Sequence, residues 1–122
     1  MSLNPIPILR IGDVLIVPLQ GELGDKMAET FQQAILERID KTSAPGLVLE
    51  ISALELVDTY VARVLTNTAK MARLMGTRTI VAGMRPEVAA TLVEMGFDVA
   101  GLETALNVDL ALGRLQTRRP GA

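Results

Sequence analysis

This sequence predicts an α/β fold built on one mixed sheet, and three observations carry the prediction. Short β-branched runs alternate with amphipathic stretches of helical period along the whole chain. Apolar residues make up 49% of the 122 residues but aromatic residues only 2%, so the core must be assembled from Leu, Val, Ile, Ala and Met. Such side chains interdigitate closely where helices lie on a sheet. The first two strands are joined by a tight turn, which forces antiparallel pairing, whereas every later strand is reached through a helix, which demands parallel pairing. The predicted order is β-β-α-β-α-β-α-(β)-α, with about four helices packed on the sheet.

Each element has its own signal. Ile6 to Arg10 and Val14 to Gln20 are β-rich and flank Gly12-Asp13, a hairpin turn. Pro18 lacks an amide donor, so a bulge is expected there, and Gly21 breaks the strand. From Asp25 to Lys41 the period becomes helical: Ala28, Phe31, Ile35 and Ile39 form a stripe, and Asp25 is the expected N-cap. Ala44-Pro45-Gly46 ends that helix, and Leu47 to Ile51 reads as a buried strand. The next helix carries Val61, Val64, Leu65, Thr68, Met71, Ala72 and Met75 on one face, with Gly76 at the position that follows its C-cap. Thr79 to Ala82 is a further strand. Arg85-Pro86-Glu87 opens a third helix, with proline and an acid where the first turn favours them, and Gly96 closes it. A short extended piece is expected near Phe97 to Ala100. Asn107 caps a last helix whose inward face is Val108, Ala111, Leu112 and Leu115. Met71, Met75, Met84 and Met95 read as gap-filling core residues. One domain is expected over residues 4–117, followed by a flexible tail over 118–122.

Composition narrows the chemistry. The net charge is −2, and the basic cluster Arg114, Arg118 and Arg119 has too few charges to define a nucleic-acid groove. Cysteine and histidine are both absent, which removes thiolate chemistry, the commonest general base and the commonest metal ligand. No phosphate-binding glycine loop occurs, so no cofactor is expected. The longest apolar runs are too short to span a bilayer and no signal peptide is expected, so the reading is a cytoplasmic protein without membrane or nucleic-acid partners. Glu50, Glu55 and Asp58 fall near a strand end where α/β folds often hold active sites. A hydrolytic or nucleotide-binding domain on these acids is therefore the rival to a protein-binding domain. No nucleophile with a base accompanies them, and the expectation is that the chain is not an enzyme.

Residues 54–65, LELVDTYVARVL, hold the most information. The loop after the third strand delivers Asp58 and Thr59 to a helix start, where each side-chain oxygen is able to accept from an unpaired backbone N–H. The same geometry suits a phosphate on Thr59, because the positive end of the helix dipole stabilises added negative charge. Phosphorylation would add roughly 1.5 to 2 negative charges, which a docked partner tolerates less well than the fold does.

Five stretches, IPIL, GEL, VDTYVARVL, MARLMGTRTIVAGMRPEVAATLVEMG and ETALNVDLALGRL, stand in one order over nearly the whole chain. In them the sequence resembles STAS domains, most closely the RsbS-type antagonists of the bacterial stressosome. The resemblance implies a mixed sheet flanked by helices and no catalytic activity. It also implies a regulatory scaffold that sequesters an RsbT-like switch kinase within a large assembly shared with RsbR-like co-antagonists. By the resemblance, phosphorylation at the position of Thr59 releases the kinase and a phosphatase reverses it, and a homodimer is left open. RsbS-type proteins commonly carry Ser at this position. Thr there resembles the RsbR-type co-antagonists, which add a sensor domain and a second phosphorylatable Thr where this chain has Glu22. Glu22 and the chain length favour the RsbS-like reading; the alternatives are an RsbR-type co-antagonist domain and a simple anti-sigma-factor antagonist that binds an anti-sigma kinase. Glu22, Asp25, Asp58, Tyr60 and Arg63 are the expected partner-binding residues, Tyr60 as an aromatic anchor and Arg63 as a cation one turn from the phosphate.

Overall fold

The computed structural model describes residues 6–96 and 101–116. Its elements are β1 (Leu9–Ile11), β2 (Val14–Gly21), α1 (Asp25–Thr42), β3 (Gly46–Leu54), α2 (Thr59–Leu74), β4 (Arg78–Ala82), α3 (Pro86–Glu94), β5 (Thr104–Ala105) and α4 (Val108–Gln116). The five strands form one sheet in the order β1-β2-β3-β4-β5. The first pair is antiparallel and the other three are parallel, as the hairpin and the helical crossovers require. The extended piece expected near Phe97 to Ala100 and the tail at 118–122 lie outside the described residues. Besides β3, the strand that pairs with β4 among the described residues is the short Thr104–Ala105.

Alternation of side chains along the strands builds two cores. Leu15, Val17, Leu47, Leu49, Ile51 and Val81 face one side, where α1, α2 and α3 cover them with Phe31, Ile35, Leu65, Val88 and Leu92. Val14, Ile16, Val48, Ile80 and Ala82 face the other, under Ala111 of α4. All four stripe residues of α1 are buried, and burying each contributes about 1.5–3 kcal/mol for the larger side chains. The register of β2 against β3 slips between Pro18 and Gln20, where the missing proline donor interrupts the ladder.

Three local expectations change. The N-cap of α1 is Gly24, in extended conformation, and Asp25 is the first helical residue with no capping bond of its own. An acid in the first turn is stabilised by the dipole without being the cap. Met75 and Met95 are 42% and 53% exposed rather than core. Both are C-cap residues, so the chain turns away from the sheet before their side chains reach it. On α2 the buried face is wider than the stripe, adding Ala62, Thr66 and Ala69, because this helix packs on α1 as well as on the sheet.

Gly76 follows the α2 C-cap with φ +94°, the left-handed conformation that lets its amide and that of Thr77 return to the carbonyls of Arg73 and Ala72. Gly83, with φ +83°, turns β4 into α3 where a Cβ would strike the Glu50 carboxylate. These turns fix the loops at the carboxyl ends of β3 and β4, where the expected site lies.

Candidate functional site

Three loops meet at the carboxyl ends of the parallel strands. The β2–α1 turn contributes Glu22 and the start of α1 Asp25, the β3–α2 loop contributes Glu55, Leu56 and Asp58 and the start of α2 Thr59 and Tyr60, and the β4–α3 turn contributes Arg85. Backbone bonds tie them together. The Glu55 amide donates to the Gly21 carbonyl at 2.9 Å, and the Arg85 guanidinium donates to the Leu54 carbonyl at 2.6 Å and to Glu87 at 3.2 Å. Arg85 was legible in the sequence only as the start of a helix. Its guanidinium also holds the end of β3, one strand away, which no local pattern reveals.

The start of α2 divides its labour between two neighbours. Asp58 is the N-cap, in extended conformation, and its Oδ1 accepts from the Val61 amide at 2.9 Å. Its carbonyl accepts from the Ala62 amide at 2.9 Å. Thr59 is the first residue of the helix and its hydroxyl makes no hydrogen bond among the described residues. The cap is therefore complete without Thr59. The half-buried hydroxyl stands at the positive end of the helix, beside first-turn amides that have no intrahelical acceptor.

Around this hydroxyl the surface is acidic with an apolar centre. Leu56 is 58% exposed and Tyr60 is 38% exposed. The Tyr60 hydroxyl is held above its usual value by partial desolvation and then by the carboxylates of Asp25, Glu29 and Asp58. The structure thus brings Asp25, Asp58 and Tyr60 together and adds Glu29, one helical turn beyond Asp25, which sequence reasoning missed. Glu22 is exposed on the adjoining turn, at the rim of a groove of about 460 Å³ that Pro18, Gln20 and Met27 also line. Arg63 is exposed one turn after Thr59 and forms no ion pair among the described residues.

The rival grouping of acids comes apart. Glu50 lies between Leu49 and Ile51, both of which enter the larger core, so its carboxylate projects from the opposite face of the sheet. There it accepts from the amide and hydroxyl of Ser52 at 3.3 and 3.1 Å. Asp58 is engaged as the α2 cap on the helix-covered side. Among the described residues no cluster of three acids suited to a metal ion occurs, and no helix is long and apolar enough to cross a membrane.

A family model for the STAS domain matches residues 6–111, which include all nine elements except the last turns of α4. The chain belongs to the STAS domain family. Its relatives include the RsbT co-antagonist protein RsbRD of Bacillus subtilis, 36% identical over 107 residues that cover 87% of this chain and 38% of that protein. The chain thus spans about two fifths of the length of that relative. Among solved structures, Moorella thermoacetica RsbS, as a serine-to-glutamate variant, is 38% identical with a TM-score of 0.81, covering 94% of this chain and 97% of that one. A chain from the molecular architecture of the stressosome, a signal integration and transduction hub, is 36% identical with a TM-score of 0.75, covering 92% of this chain and 97% of that one. This STAS domain is therefore of the kind found in stressosome proteins. Both RsbS and RsbR types stand among its relatives.

Proposed function

We propose that this STAS domain is a non-enzymatic antagonist and scaffold of a cytoplasmic stressosome, which holds an RsbT-like switch kinase on the surface around Thr59 and releases it when Thr59 is phosphorylated. The observation that carries the reading is the uncommitted Thr59 hydroxyl beside a cap that Asp58 completes alone. Had Thr59 been the cap, modification would have removed a structural bond. As it stands, a phosphate on Thr59 adds charge at the positive end of α2 without unmaking the helix start.

The docking surface is Leu56 and Tyr60, ringed by Glu22, Asp25, Glu29, Glu55 and Asp58. A partner that accepts this surface buries an apolar centre inside an acidic rim. The added phosphate then enters at the margin of the contact, where it alters both bulk and charge. Arg63, on the same helical face four residues on, supplies a cation toward the phosphate. A phosphatase resets the switch, and other STAS chains, RsbR-like among them, complete the assembly.

Two features weigh on the choice between antagonist types. The 38% identity to Moorella thermoacetica RsbS and the acidic Glu22 support an RsbS-like role. Thr59 and the likeness to RsbRD support a co-antagonist domain. Incubation with the switch kinase and ATP, followed by intact-mass measurement and peptide mapping, tests the shared mechanism. A single phosphate on Thr59 is expected; phosphate elsewhere with Thr59 untouched would return Asp58-Thr59 to the role of a plain helix start.

A further inference from the structure

The far end of α2 carries a feature that the Thr59 switch does not use. Leu74, the last residue of the helix, is 88% exposed, and Met75 beside it is 42% exposed. A single exposed leucine is ordinary on a protein surface. Here it adjoins a groove of about 550 Å³ between α1 and the end of α2, whose apolar lining is Leu36 and Met75 and whose acids include Glu37 and Asp40. Gln32 also lines the groove and donates to the Thr68 hydroxyl at 2.9 Å, which ties the two helices together.

Charge is divided across this end of the molecule. Leu74 shares one side of α2 with Lys70 and Arg73, and Met75 shares the other with Glu37 and Asp40 of α1. All four charged residues are exposed, and none forms an ion pair among the described residues. Arg38 and Lys41, the nearby cations of α1, do not line the groove. The two cations are three residues apart on their helix and so are the two acids, which places each pair about 4.5 Å apart along its axis.

A surface that runs from cations through a protruding leucine and an apolar groove to acids is complementary to itself under a two-fold rotation. The rotation sets each Leu74 into the other copy's groove, against Leu36 and Met75. It also sets Lys70 and Arg73 of each copy across from Glu37 and Asp40 of the other, at matching spacing. Met75 is unbranched and adapts its shape to an incoming side chain. Apolar contacts then lie at the centre and charged ones at the rim, the usual layout of a protein interface. A partner of one charge sign satisfies only half of this surface; a second copy satisfies both halves.

We propose that the end of α2 and the adjoining turns of α1 form a self-association surface, on which two copies of this chain pair about a two-fold axis with Leu74 as the apolar anchor. Thr59 lies fifteen residues before Leu74, about 22 Å away along the helix. Pairing at one end therefore leaves the other end open, and the proposal stands or falls independently of the kinase switch.

The test is sedimentation velocity of the whole chain over a wide range of concentration, at low and at high salt. A reversible monomer–dimer equilibrium that salt weakens is expected, because its charged contacts lie at an exposed rim. Leu74→Glu should raise the dissociation constant at least tenfold, and Lys70→Glu combined with Arg73→Glu should do the same at low salt. Adding Glu37→Lys and Asp40→Lys to that double variant should restore pairing, which a misfolded chain could not do. The proposal is overturned if the chain stays monomeric throughout, if Leu74→Glu leaves the dissociation constant unchanged, or if the reversed charges fail to restore pairing.

Discussion

The two ends of α2 are built on opposite principles. At its start a side chain, Asp58, closes the helix, and Asp25, Glu29 and Asp58 surround an exposed tyrosine with negative charge. At its end the backbone closes the helix through Gly76, and Lys70, Arg73 and Arg78 gather around a cavity. Capping by Asp58 rather than by Thr59 leaves the Thr59 hydroxyl uncommitted at the surface. Capping by Gly76 leaves the end of α2 beside a concave space, where Arg78 is paired with Glu103 and Lys70 and Arg73 form no ion pair among the described residues. In both places the helix is satisfied by one residue so that its neighbour stays available, and the shape of the surroundings decides what the neighbour can meet.

The comparison can be broken most strongly at Arg85. Its bond to the Leu54 carbonyl joins the ends of β3 and β4 beneath the acidic surface. Arg85→Ala should cost about 2 kcal/mol, the scale of a hydrogen bond from a charged group, measured by urea denaturation, and should weaken kinase binding through a loosened loop. Asp58→Ala should cost about 1 kcal/mol in the same assay, the usual loss of a helix cap. Thr59→Ala, the adjacent change, should stay within about 0.5 kcal/mol of wild type, as surface changes generally do. A Thr59→Ala loss as large as that of Asp58→Ala would show that both residues cap, and the division of labour would be gone.

The finest prediction concerns Tyr60, the single tyrosine in a chain without tryptophan, whose ionisation is read directly by ultraviolet absorbance. Its raised pKa means that the folded state favours the neutral phenol. That contribution to stability is fully present below the ordinary tyrosine value near 10 and is lost as pH rises through the higher folded value. Asp25→Asn should move the titration downward toward 10. Phosphate on Thr59 should move it further upward, because it adds charge of the same sign. No movement in either case would contradict the acidic field ascribed to this surface.

Much of this was legible in the sequence, and the exceptions have physical reasons. The α1 stripe of Ala28, Phe31, Ile35 and Ile39, the slip at Pro18 and the cap at Asn107, whose Oδ1 accepts from the Leu110 amide at 2.9 Å, follow from local rules. Asp25 was expected as a cap because an acid is favoured both at that position and one residue inside it. Met75 and Met95 continue their stripes in sequence, but each helix ends just before them. β5 is two residues long, too short to show a period. At the site, Asp58, Thr59 and Tyr60 announce themselves by adjacency. Arg85 and Glu29 join them only through the pairing of strands and the approach of α1 to α2.

The measurement that bears most directly on the central claim is the affinity of the switch kinase for three forms of this chain: unmodified, phosphorylated on Thr59, and Thr59→Ala. The account predicts that the unmodified and Thr59→Ala forms bind alike and that phosphorylation weakens binding tenfold or more, about 1.4 kcal/mol. Equal affinity for all three forms would contradict it.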